Sequence, residues 1–317
     1  MEVGVAKTRS YNYLYPSRKP TRIFFMVEIW NLFKYSFIGY GNYLVEEILH
    51  PSWDNYFYAL LVISLFVWGL EMFFPWRKNQ KIIRKDFWLD TFYMFFNFFI
   101  FNMIAYIALS SAAENFFLSV LSFFSTELNS LQLFDVNSFP FVFRLLLFFV
   151  ITDFVQWGIH RLLHANKWLW NFHKVHHSVK EMGFAAHLRY HWMETIVYRT
   201  LLYIPLALIG GFHVDDVIFV HLFALTIGHL NHANVKLNYG PLKYIFNNAE
   251  MHIWHHSKEL PEGNKHGVNF GISLSLWDYI FRTAHVPHSG RDLELGFDKD
   301  EKFPKDFLHQ EMYPFKE

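Results

Sequence analysis

The chain has 317 residues, 53% of them hydrophobic and 21% aromatic, with 38 phenylalanines. Its 28 basic and 28 acidic side chains balance, so it carries no electrostatic footprint for nucleic acid. It has no cysteine, which excludes disulfides, a haem-thiolate centre and a cysteine-ligated iron–sulfur cluster.

Residues 1–20 are polar and carry Lys7, Arg9, Arg18 and Lys19 without an apolar core. They read as a loosely packed arm and not as a signal peptide. Ile23–Phe37 reads as an amphipathic helix lying on a membrane, ended by Gly39 and Gly41. Tyr56–Trp76 is the first apolar span, stopped by Pro75 and the basic run Arg77, Lys78, Lys81, Arg84 and Lys85. Phe87–Ser110 is the second. Asn115–Phe124 is apolar but too short to cross, and Ser125–Asn137 is a polar linker. Phe139–Trp157 is the third span and runs straight into His160. Glu194–Phe212 is the fourth, with Pro205 as a kink, and Val214–His229 is a short, weak fifth. Residues 233–317 are soluble in character.

This pattern predicts an all-α protein, a multi-span transmembrane helical bundle with a helical cap. Three segments follow: an arm and interfacial helix over 1–55, a membrane domain with its histidine motifs over 56–285, and a tail over 286–317. The stretches 77–86 and 159–191 are basic, whereas 111–139 holds no Lys or Arg. The positive-inside rule therefore turns the basic loops to the cytoplasm. The six basic residues within 1–55 conflict with the N-terminal side that this arrangement requires.

Histidine spacing carries the chemistry. Five histidines fall within eighteen residues: His160, His164, His173, His176 and His177. The pairs His160/His164 and His173/His177 are i, i+4, so each pair shares a helix face. His252, His255 and His256 repeat the spacing of His173, His176 and His177. Imidazole is the commonest ligand for Zn, Cu, Fe and Ni, and one zinc ion takes about four ligands. Eight histidines exceed one ion, and two ions sharing the sets is the simpler reading. His191 and His232 lie where spans meet the basic side and join the candidate ligands. His187 and His229 are near neighbours, with local hydrogen bonding as their alternative. His221 either bonds within the bundle or lines a cavity, and His266 is a loop residue near the site. Asp153 lies seven residues before His160 on the same face, at the end of an apolar span. It is expected to accept the second N–H of a metal-bound imidazole, with a salt bridge as its alternative. Such a site beside Phe-lined spans suits redox chemistry, for which iron serves and zinc does not.

The motifs resemble those of the fatty acid hydroxylase / sterol desaturase superfamily over about residues 140–285. The matching pieces begin with Asp153, Trp157 and His160-Arg-Leu-Leu-His164, then Trp170-x-x-His173-x-x-His176-His177. Next come Arg189-x-His191-x-x-Glu194, His232-Ala-Asn and His252-x-x-His255-His256. Asn269-x-Gly271 and the Leu276–Thr283 stretch, with Trp277, Asp278 and Phe281, complete them. The sequence departs at Trp192, where the family often has Pro, and at Arg282, where it often has Gly. The run Trp170–Ser178 also looks like that of alkylglycerol-monooxygenase-like and bacterial sterol-desaturase-like members.

The resemblance implies a multi-pass enzyme of the bacterial inner membrane or the endoplasmic reticulum, its histidines facing the cytoplasm. It implies two irons, O2 as co-substrate, and a lipid substrate of the fatty acyl, sterol or ether type. Zinc is a possible substitute in a purified sample. Electrons come from an external donor, cytochrome b5-like or ferredoxin-like, because no segment is long enough for a fused carrier. The expected product is an alcohol, or an alkene after a second hydrogen abstraction. The alternative is a non-enzymatic metal transporter or metal-sensing scaffold. That reading needs polar residues along several spans, which spans one, two and four largely lack.

Overall fold

The computed structural model of the chain describes residues 22–52, 55–101 and 132–316. The expectations for the arm, for Asn115–Phe124 and for most of the polar linker lie outside the described residues. So does the second span beyond Phe101.

Helix α1 (Arg22–Leu49) is continuous through Gly39 and Gly41, contrary to the break expected there. Each glycine costs only about 1 kcal/mol relative to alanine, which is too little to end a 28-residue helix. Helix α2 (Tyr56–Phe73) starts at Asn55, whose side chain accepts from Tyr58 N at 3.2 Å and donates to Glu47 O at 2.6 Å. One residue thus caps α2 and ties it to α1. Helix α3 (Phe87–Phe95) runs on into a π turn over Phe96–Ile100. A π turn costs helix regularity and is common where a side chain is re-aimed for function. Asn97, inside it, donates to Leu188 O at 3.2 Å and Tyr190 O at 2.8 Å.

Helix α4 (Phe141–Ala165) carries the expected third span and the first two histidines without interruption. Helices α2 and α4 are long and apolar enough to cross a membrane. Their outward residues Val62, Leu65, Phe66, Val142, Phe143 and Leu146 are exposed, a surface that suits hydrocarbon and not water. Asn166 turns the chain sharply and caps α5 (Lys167–His177), accepting from Trp168 N at 2.9 Å and Leu169 N at 3.1 Å. That turn lays α5 back against α4. Helix α6 (Trp192–Leu208) ends in a short strand, β2 (Ile209–Gly210), parallel to β1 (Phe134–Asp135). Helix α7 (Val214–His232) is fixed to α4 by a buried pair, Arg144 Nε donating to Asp216 Oδ2 at 2.5 Å. Short helices α8 (Ala249–His255), α9 (Leu276–Ile280) and α10 (Phe307–Met312) and their loops complete the described fold.

The segment 286–317 folds back through residue 316 onto α3 and α5. Tyr93 donates to Gln310 Oε1 at 3.0 Å, and Phe315 packs on Phe172. A buried network joins the same region: Asp90 accepts from Arg84 and, at 2.8 Å, from Arg189, while Arg189 donates to Ser178 Oγ at 2.8 Å. Charges this deep persist only when paired, so the network fixes where Arg189 runs.

Candidate metal centre

Nine histidines converge on the junction of α4, α5, α7 and α8. They form two groups: His160, His164, His173, His177 and His255, and next to them His176, His232, His252 and His256. Within each group the ligand nitrogens lie within 4.8 Å of one another. The rings of His177 and His256 stack at 4.4 Å, so the groups adjoin. Helical geometry explains the sorting. On α5 the i, i+4 pair His173/His177 enters the first group, and His176, offset by three, enters the second. On α8 the roles exchange: His252/His256 enter the second group and His255 the first.

Five rings are held from behind at Nδ1. His160 donates to Phe270 O at 2.8 Å, His176 to Arg189 O at 3.0 Å, His232 to Gly228 O at 2.7 Å and His255 to Val268 O at 2.8 Å. His173 donates to Glu194 Oε2 at 2.8 Å. Each acceptor lacks a proton, so Nδ1 carries it and Nε2 presents a bare lone pair. These lone pairs face one another. His160 and His173 meet Nε2 to Nε2 at 3.2 Å, and His232 and His176 at 3.3 Å. Opposed lone pairs repel unless a cation sits between them. With metal–nitrogen bonds of about 2.0–2.1 Å, two nitrogens on one ion lie roughly 2.9–3.4 Å apart. The His252–His232 contact at 2.9 Å and the His256–His252 contact at 3.1 Å fit the same spacing. His164 Nε2 is buried with no protein partner, as an orphaned donor atom of a ligand should be. The residues therefore fit metal ions, and the chemistry of an all-nitrogen set suits iron, copper or zinc.

Burial, and after it neighbouring imidazoles, push His173, His177, His252, His255 and His256 well below the usual 6.5. The rings stay neutral at physiological pH, which is the ligating form.

Two sequence expectations are corrected. His191 belongs to neither group. Its Nε2 donates to Glu311 O at 2.9 Å and its Nδ1 accepts from Met193 N at 3.0 Å, so both nitrogens are committed. Asp153 touches no histidine. It accepts from Ser273 N at 3.0 Å, Leu274 N at 3.2 Å and Trp277 Nε1 at 2.9 Å. Its carboxylate pins the loop before α9 to α4, because free backbone N–H groups of a buried loop compete better for it than an imidazole about two turns away.

Sequence reasoning left the roles of Glu194, Asp278 and Gly271 unassigned. Glu194, not Asp153, is the carboxylate behind a histidine; its signal was an acid at the start of an apolar helix. Asp278 accepts from Trp157 Nε1 at 3.0 Å, Phe270 N at 2.9 Å, Gly271 N at 2.7 Å and Thr283 Oγ1 at 2.6 Å. It sets the Phe270 carbonyl that holds His160. A Cβ on Gly271 would meet Leu274 O at 2.5 Å, so glycine alone lets this loop close. His187 and His229 bond to each other, Nδ1 to Nδ1 at 2.8 Å, and His229 Nε2 reaches Ser64 Oγ at 3.0 Å.

A cavity of about 680 Å³ opens from His160, His173, His176, His232 and His252. It follows one face of α7 as far as His221 and Val217 and reaches Tyr40 and Glu47 on α1. His221 and His232 are eleven residues apart on one helix, roughly 16 Å. The depth suits an extended hydrocarbon chain.

Two adjoining all-imidazole groups at the end of a deep, largely apolar cavity define a helical histidine-box metalloprotein. The comparisons with known proteins agree: the fatty acid hydroxylase family model matches residues 145–283. The chain is 32% identical over 279 residues to the ornithine lipid hydroxylase OlsE of Rhizobium tropici, covering 84% of this chain and 77% of that one. The chain belongs to the fatty acid hydroxylase family. It is also similar to human alkylglycerol monooxygenase, 33% identical over 43% of this chain and 29% of that one. Methylsterol monooxygenase 1-1 of Arabidopsis thaliana is 26% identical over 53% of this chain and 50% of the relative. No solved structure matches the chain.

Proposed function

We propose that the protein is a membrane-bound non-haem di-iron oxygenase that hydroxylates an unactivated C–H bond of a lipid, using O2 and external electrons. The observation that supports it is the pair of all-histidine groups at the end of a lipid-sized cavity. His160, His164, His173, His177 and His255 would hold one iron, and His176, His232, His252 and His256 the other. When bound, iron supplies the O2 activation that no side chain in this chain can supply. The protein's own contributions are orientation and exclusion. Glu194 and four backbone carbonyls keep the protons of five rings on Nδ1, so the Nε2 of His160, His173, His176, His232 and His255 stays free to ligate. The apolar cavity walls align an alkyl chain and keep bulk water from the reacting end.

Hydroxylation is favoured over desaturation because relatives are named hydroxylases and monooxygenases. The ornithine lipids of the Rhizobium relative join fatty acyl, sterol and ether lipids as candidate substrates. A multi-pass topology with the histidines on the cytoplasmic side accords with Arg161, Lys167, Lys174, Lys180 and Arg189 around them. An external carrier of the cytochrome b5 or ferredoxin type would deliver electrons there.

Metal analysis and oxygen consumption of the purified protein test the reading. About two irons per chain, with O2 uptake that needs reductant and lipid, is the expected result. Stoichiometric zinc without turnover, in protein produced with iron in excess, contradicts it.

A further inference from the structure

The cavity holds an imbalance that an apolar substrate does not explain. Two carboxylates line it, Glu194 at the metal end and Glu47 at the far end, and no Lys or Arg does among the described residues. At the metal end three acceptor oxygens are buried without a partner: Glu194 Oε1, Asn97 Oδ1 and Asn231 Oδ1. All three side chains are nearly sealed, at 3%, 2% and 3% exposure.

Their positions are fixed by the metal centre itself. Glu194 spends its other oxygen on His173. Asn97 spends its amide nitrogen on the carbonyls of Leu188 and Tyr190, on either side of the Arg189 carbonyl that holds His176. Asn231 precedes His232 and spends its nitrogen on Ile272 O at 2.9 Å. Because both amide nitrogens are engaged by carbonyls, the orientation of each amide is determined and its oxygen is the atom left over. Glu194 is thus one hydrogen bond and Asn231 one residue from a histidine of the site, and Asn97 braces the residues on both sides of the carbonyl that holds a third. An unpartnered buried acceptor costs about 1–3 kcal/mol, and three lining one cavity end ask for a donor.

We propose that the metal-proximal end of the cavity is a binding site for a protonated amine, so that the amine-bearing polar end of a lipid, and not its chain terminus, lies beside the metal centre. An ammonium carries three N–H donors, no acceptor and one positive charge, the complement of two amide oxygens and a carboxylate. A hydroxyl supplies one donor and no charge, so it meets only one of the three oxygens. Glu47 Oε2 is also buried without a partner, but it stands alone at the far end. The proposal rests on the lipid-oxygenase reading for its biological sense, but its binding claim is independent of turnover.

The test uses the metal-loaded full chain in an uncharged detergent. Four probes share a dodecyl chain: dodecylammonium, dodecyltrimethylammonium, N-acetyldodecylamine and dodecanol. Binding is read by tryptophan fluorescence. Charge-assisted hydrogen bonds predict dodecylammonium to bind about tenfold or more tightly than the other three. The trimethyl probe keeps the charge and loses the donors, so equal binding by it overturns the proposal. Asn231→Leu is expected to erase most of the preference for dodecylammonium over dodecanol. The isosteric Thr195→Val, which removes a neighbouring buried hydroxyl without a partner, should lower the preference by about twofold if the Asn231 variant fails to fold. A preference that survives these changes and vanishes in Glu47→Gln puts the amine at the far end and also overturns the proposal. If the preference holds and no lipid is ever oxidised, the amine site stands and the oxygenase reading falls.

Discussion

Glu194 shows at the scale of one residue what spacing can and cannot reveal. A carboxylate behind His173 fixes its tautomer, so Glu194→Gln is expected to lower metal affinity of the first group by roughly 10–100-fold, measured by chelator competition. Asp278 is a purely structural counterpart. Asp278→Ala leaves four donors unmet, Trp157 Nε1 among them, and is expected to cost about 3–5 kcal/mol in denaturant or thermal unfolding. Acid should act through the ligands. In the unfolded chain these imidazoles take protons near 6.5; in the folded chain burial holds His173, His177, His252, His255 and His256 far lower. Below 6.5 the unfolded state thus binds more protons, so the metal-free protein loses stability as pH falls, and bound metal is released in the same direction. Thermal unfolding between pH 7.5 and 5 checks this, and a melting temperature that rises on acidification contradicts it. The clustering of the histidines was legible in the sequence because i, i+4 spacing places His160/His164, His173/His177 and His252/His256 each on one helix face. The roles of Asp153 and His191 were not, because their partners, Ser273 and Glu311, come from segments some 120 residues away that no local pattern announces.

At the scale of elements, the two repeated sets divide between the two histidine groups, and each group is proposed to hold one ion. His252→Ala or His256→Ala should lower bound metal from about two per chain to about one, and His164→Ala should do the same through the other group. Combining His164→Ala with His252→Ala should leave almost none, as read by mass spectrometry of the metals. A design with one ion per set predicts instead that His255→Ala affects the same ion as His252→Ala. Helix α7 carries a second sensitive point. A Cβ on Gly228 would meet His187 Nε2 at 2.1 Å, one turn before His232. Gly228→Ala is therefore expected to displace His187 and weaken the second group selectively, detectable in the same metal analysis. Helix existence was readable from apolar runs, and α4 carries its span into the histidines as expected. The continuity of α1 was not readable, because glycine is a weak breaker and Phe98, Asn55 and Tyr58 supply tertiary ties from outside it. The return of 286–317 onto α5 was also hidden, since its contacts are made by scattered aromatic residues without a period.

Across the whole molecule, function comes from joining two environments. Helices α2 and α4 turn exposed apolar faces outward, while the histidines gather where α4, α5, α7 and α8 meet. Between them runs the cavity along α7, which connects the lipid-like region to the metal-binding one. The sequence foretold both environments but not the cavity, whose walls come from α1, α2, the π turn after α3, α4, α6 and α7 together. The account's central claim is that this connection brings a lipid C–H bond to two histidine-held irons. Incubation of iron-loaded protein with reductant, membrane lipid extract and isotope-labelled O2, followed by lipid mass spectrometry, tests it most directly. The predicted result is one labelled oxygen atom in a lipid alcohol, dependent on reductant and lost in His176→Ala. Absence of label from every lipid, in protein shown to hold two irons, would contradict it.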